Sequence, residues 1–315
     1  MNEALMLPEE EEMENEEKSQ ELRAREIAEA GDYFKIIEAL SEEGLLEAQV
    51  KRVRGAVDGE VDFLNQRDWE MLTVLELFDL VTFEHSLNTH KIAKDKIERV
   101  LDDELVIADF IQNEVMDLNR FYRACLLHDI GKVKIPKPVL NKVFHEDWDL
   151  PVADVLDETD IENVKDMGFD IGSSSNEIMK HHEKFSERIL AEAGLEIEAV
   201  LAGQHHNYEG KSSEELKMPL SSSALCISLN LADIVHLADV QQALEQERPY
   251  KQKAAKISVL AVLVSHAKQG LVDKYITYLW VKDELKTLTD KEMEGQDVKE
   301  DLGTVISFLD SHDQI

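Results

Sequence analysis

Cysteine is nearly absent: the 315 residues hold two, Cys125 and Cys226, both inside apolar segments. That excludes a disulfide-stapled scaffold, and two buried thiols predict a reducing, cytoplasmic setting. Glycine and proline are scarce as well, 13 and 6, while 43% of the chain is apolar. A low-complexity or disordered chain is thereby excluded in favour of a helix-rich globular one. Cations are outnumbered, with 34 Lys and Arg against 67 Asp and Glu, a net charge of −33. Such a surface repels nucleic-acid polymers and anionic membranes, so neither is expected as a partner. A small phosphate ligand survives this test, because a local cluster of metal and cations overrides the global field at short range. Long apolar runs are missing too. The stretch "LAVLV" is far too short to span a bilayer, and the acidic opening "MNEALMLPEEEEMENEE" does not read as a signal peptide.

What is present is helical periodicity, with little strand alternation. Residues 1–20 carry eight glutamates against one lysine and read as a solvated, disordered tail. Residues 21–65 read as a small helical region punctuated by Gly31, Gly44 and Gly55, suited to regulation, homodimer formation or a protein partner. The main helical domain is expected over 66–285 and an acidic appendage over 286–315. Met71, Leu75, Phe78, Val81, His85 and Ile92 fall on one helical face. Phe121, Cys125 and His128 fall on another, and Ile178, His182, Phe185 and Ile189 make a third stripe. The acidic segment 143–173 reads as a loop with one short helix. The expected fold is all-α, a helical bundle with a small helical N-terminal region.

Three apolar stripes thus carry a histidine, at His85, His128 and His182. A lone histidine on such a face is more often a hydrogen-bonded core residue than a ligand. Together with Asp129 and the pair His205-His206, separate core burial would require a separate hydrogen-bond solution for each group. One shared metal centre satisfies all of them. No cysteine accompanies them, so iron, manganese or catalytic zinc fits better than structural zinc. A carboxylate can bridge two ions about 3.5–4 Å apart, which activate water and clamp phosphoryl oxygens. Lys132 can then neutralise a phosphate oxygen; taken alone it reads as a cation favoured by a helix C-terminus.

The blocks "EHSLNTHKIA", "LLHDIGKVKIPKPVLNK", "EIMKHHEKFSERIL", "QHHNYEG" and "HLADVQQALEQERPYK" resemble, in order and spacing, the HD-GYP branch of the HD phosphohydrolase superfamily over about residues 70–280. The resemblance implies a helical HD-domain bundle that binds divalent transition-metal ions and hydrolyses cyclic di-GMP or a related dinucleotide. It places the metal ligands on His85, His128, Asp129, His182, His205, His206 and Asp239. The catalytic roles fall on Asp129 and Lys132. Lys132, Arg248 and Lys251 fall at positions that hold the dinucleotide. Two ions are expected, iron first and manganese as the alternative. Asp239 aligns without a gap; Asp233 is the rival, closer to the family's distance from the double histidine but needing extra residues before Arg248. Three departures stand out. "NYEGKSSEELKMPL" replaces the GYP loop, Gln242 replaces an aspartate expected to touch nucleotide, and Val81 sits where three-metal relatives carry an acid. An active phosphodiesterase, a catalytically weak dinucleotide sensor and a hydrolase for another phosphorylated nucleotide are the readings this leaves.

Overall fold

The computed structural model describes residues 8–57, 61–101, 117–141, 151–154, 156–206, 222–246, 254–288 and 296–312. The architecture is all-α, and among these residues no β-strand forms, only an isolated bridge between Pro151 and Ser174. In chain order the helices are α1 (Pro8–Ala28), α2 (Tyr33–Glu42), α3 (Leu46–Ala56), α4 (Gln66–Phe78), α5 (Leu80–Lys96), α6 (Leu118–Leu127) and α7 (Lys137–Leu140). There follow α8 (Glu158–Asp166), α9 (Ser175–Lys180), α10 (His182–Glu192), α11 (Glu196–Gly203), α12 (Ser222–Glu245), α13 (Lys256–Gln269), α14 (Lys274–Thr287) and α15 (Gln296–His312). No described helix is long and apolar enough to cross a membrane.

The chain divides into two compact units, residues 1–83 with 132–182, and residues 84–131 with 183–315. In the first, α4 is the hub. Trp69, Met71, Leu72, Val74, Leu75, Leu77 and Phe78 are all buried, so this helix is apolar around its circumference, as a central helix must be. Helices α1, α2 and α3 pack on it. Of its two buried acids, Asp68 closes the capping box with Asn65, and Glu76 is met by Arg25 at 2.8 Å and Arg52 at 2.5 Å. Helix α4 groups with the N-terminal helices, which cover its apolar surface. Within the acidic opening, α1 begins at Pro8. Glutamate is a good helix former, and its charge complements the positive end of the helix dipole.

In the second unit α6 packs on α11, α11 on α12, α12 on α13, and α13 and α14 against each other. Helix α15 packs on α13 and α14, with Val305 and Phe308 buried. Two predicted stripes are also interrupted. Asp79 ends α4 and its carboxylate caps the next helix through the Thr82 amide at 2.9 Å, which leaves Val81 43% exposed. His181 ends α9, so Ile178 and His182 lie on different helices. At Asp79 a short polar cap overrides periodicity; at His181 the ring Nδ1 donates to the Glu177 carbonyl at 2.9 Å where α9 ends.

Candidate metal centre

Helix α6 starts at Asp117, whose carboxylate accepts the Asn119 amide at 2.9 Å. Its face through Phe121 and Cys125 is fully buried, and it ends at His128. Asp129 follows, leading into a 3₁₀ turn at Ile130–Lys134. The Gly131 amide donates to Ser186 Oγ on α10 at 2.8 Å, which holds this turn in place. Helix α5 brings His85 and α12 brings Asp239. Ligand atoms of His85, His128, Asp129 and Asp239 all lie within 4.8 Å of one another, and all four residues are buried.

Hydrogen bonds to the far side of each ring decide what faces inward. His128 Nδ1 donates to the Cys125 carbonyl at 2.8 Å and His205 Nδ1 to the Ala202 carbonyl at 2.6 Å. His85 Nδ1 donates to Gln242 Oε1. Each partner oxygen only accepts, so Nδ1 carries a proton and Nε2 is the ring atom turned inward, with a lone pair to offer whenever the ring is neutral. His85 Nε2 then lies 2.6 Å from Asp239 Oδ1 and 3.7 Å from Asp129 Oδ2. His128 Nε2 lies 3.4 Å from Asp129 Oδ2 and 3.7 Å from Asp239 Oδ1, with no hydrogen-bond partner of its own. Two buried carboxylates crowded against ring nitrogens require positive charge among them, from protons on the rings or from a cation. Burial would push the His128 imidazole down, yet Asp129 and Asp239 push it up to about 10. Asp239 is held well below the usual carboxylate range: burial acts the other way, but His128, His85 and His206 prevail. The site calls for positive charge, and this donor set suits a divalent ion.

A second imidazole group lies alongside. The rings of His205 and His206 are 4.1 Å apart, and His205 is 4.9 Å from His128. Asp239 Oδ2 is 3.6 Å from His206 Nε2, so this one carboxylate faces both groups. Buried Glu183 accepts the His206 amide at 2.6 Å. His236 Nδ1 donates to the His205 carbonyl at 2.6 Å, and its Nε2 meets His266 Nδ1 at 2.8 Å. Burial lowers the pKa of His266. Glu183, His236 and His266 were not predicted from sequence. The available signal was a histidine on the apolar helix α12, one turn before Asp239.

The other candidates are placed as follows. His182 is the first residue of α10, and its Nδ1 donates to the Met179 carbonyl at 2.6 Å. Lys132 is half-buried in the 3₁₀ turn, three residues after Asp129. Asp233 is not with His85: its Oδ2 accepts the Asp273 amide at 3.0 Å at the start of α14. Gln242, at the position of the aspartate expected to touch nucleotide, bonds the His85 ring. Arg248, Lys251 and the segment 207–220 lie outside the described residues.

Residues 82–267, more than half of the chain, match the family model for the HD domain. No curated protein and no solved structure matches.

Proposed function

Because this chain belongs to the HD-domain family, whose chemistry is metal-dependent phosphohydrolysis, we propose that it is a phosphodiesterase acting on cyclic di-GMP at a dinuclear centre. The observation that carries the metal-dependent part is the buried set His85, His128, Asp129 and Asp239, with the Nε2 atoms of both rings turned toward carboxylates. The choice of cyclic dinucleotide rests on the motif order, from "HDIGK" to "RPYK". In this reading His182, His205 and His206 would hold a second ion, Asp129 would serve both positions, and iron or manganese would fill them. Bound divalent ions polarise a phosphoryl oxygen and lower the pKa of water. The chain's own residues do the rest. Asp129 and Asp239 balance the charge of the ions, and the Nδ1 bonds keep the rings aimed. Lys132 steadies negative charge growing on a non-bridging oxygen, and Arg248 and Lys251 hold the dinucleotide phosphates.

The protein should carry about two ions per chain, the number this phosphoryl clamp requires. Elemental analysis finding less than half an ion per chain after iron or manganese reconstitution would sink the dinuclear centre. Turnover of cyclic di-GMP is then compared with that of linear dinucleotide and mononucleotide phosphates. Lys132→Ala should keep its metal, since a protonated amine has no lone pair to offer. It should bind cyclic di-GMP only slightly worse, but turn over about 10²–10³ more slowly.

One feature favours a second reading. "NYEGKSSEELKMPL" departs from the substrate-mouth loop of the HD-GYP resemblance, which suits a dinucleotide sensor with little turnover. Tight binding with hydrolysis no faster than the metal-free protein would select the sensor. Turnover of mononucleotides alone would select a different phosphorylated substrate.

A further inference from the structure

We propose that Gln242 is a positioning residue of the metal centre: its side-chain carbonyl fixes which nitrogen of His85 faces the ion, and its neutrality sets the charge of the site. The inference rests on the reading of His85 as a metal ligand. Helix α12 carries Asp239 and Gln242 three positions apart, one turn along the same face. One helix thus delivers both a carboxylate facing His85 Nε2 at 2.6 Å and the oxygen that takes the proton of His85 Nδ1. His85 is 1% and Gln242 5% exposed, so water does not compete for that bond.

The amide orientation matters chemically. An oxygen facing Nδ1 keeps the proton there and leaves the Nε2 lone pair for a cation. The reversed amide would donate to Nδ1, put the proton on Nε2 and turn His85 into a donor toward Asp239. Charge matters too. With a neutral partner behind His85, Asp129 and Asp239 together balance one divalent ion; a carboxylate at position 242 would add a third negative charge. The neighbouring glutamine is used differently. Gln241 Oε1 accepts from Trp280 Nε1 at 2.8 Å and its Nε2 donates to Glu245 at 3.2 Å, a core-fastening role away from the centre. It supplies the control.

The test is calorimetric titration of the full metal-stripped chain with Mn²⁺, for wild type, Gln242→Leu, Gln242→Glu, Gln241→Leu and His85→Ala. Gln242→Leu should weaken Mn²⁺ binding about 10–100-fold. Gln242→Glu keeps the acceptor and should bind at least as tightly as wild type. Gln241→Leu should lower the melting temperature without changing affinity. In the zinc-loaded protein, a slowly exchanging Nδ1 proton on His85 should appear for wild type and Gln242→Glu and vanish in Gln242→Leu. Wild-type affinity in Gln242→Leu with weakened binding in His85→Ala would overturn the inference and leave the metal centre standing. Wild-type affinity in His85→Ala would overturn the metal reading, and the role of Gln242 with it.

Discussion

Asp129→Ala should empty the centre. Asp129 Oδ2 stands 3.7 Å from His85 Nε2 and 3.4 Å from His128 Nε2, so it is, with Asp239, one of two carboxylates that both rings face. A group that merely orients a ligand is worth about 10–100-fold in metal affinity, and a ligand should cost more. The ions supply several kcal/mol of transition-state stabilisation, so turnover should fall by on the order of 10³ or more. Stability provides a readout free of activity. A ligand that binds only the folded state stabilises by about 2.7 kcal/mol at a hundred times its dissociation constant. Mn²⁺ should therefore raise the melting temperature of wild type and leave that of Asp129→Ala where it is. Equal metal occupancy in the two proteins would show that Asp129 holds no ion.

Lys96→Ala should destabilise the second unit by about 3 kcal/mol, the lower end of what one removed partner of a buried ion pair costs. The Lys96 side chain is 1% exposed, with Nζ 2.5 Å from Asp283 Oδ2 and 2.5 Å from Glu284 Oε1. Lys256, 2.8 Å from Glu284 Oε2, remains in the mutant and keeps the loss from being larger. In a unit of this size that amounts to roughly 6–12 °C in melting temperature. A change under about 2 °C would show that the cluster contributes little. The pH dependence has a definite sign. Burial would push the Glu284 carboxyl up, but hydrogen bonds from Lys256 and Lys96 hold it below its ordinary value. A lowered folded-state pKa stabilises above the unfolded value of about 4.3 and is lost as the pH falls through the folded one. Wild type should therefore lose stability on acidification below about pH 4 more steeply than Lys96→Ala.

Much of this protein can be read along the chain. Helical periodicity announces an all-α fold because the 3.6-residue repeat is local and needs no partner to be visible. The pair His128-Asp129 is legible for a related reason: it closes the apolar face of α6, and the Nδ1 bond that aims His128 runs to Cys125, three residues back. His205 is aimed by the same local device through Ala202. Boundaries set by caps were less visible, since Asp79 and His181 break runs whose apolar spacing continues across them.

Tertiary structure alone decided the partners. Asp233 and Asp239 sit on one helix in similar surroundings, yet one receives the Asp273 amide and the other meets His85, 154 residues away in sequence. Gln242 behind His85, Glu183 beneath His206 and His236 beneath His205 are contacts of the same kind. Such pairings leave no trace in local spacing, because they depend on how helices pack rather than on how each one repeats. Packing also decided where the chain divides. The apolar circumference of α4 shows that it must be covered, but only the fold reveals that α1, α2 and α3 cover it. A hydrophobic surface specifies burial without specifying the partner, because the force that buries it has no direction.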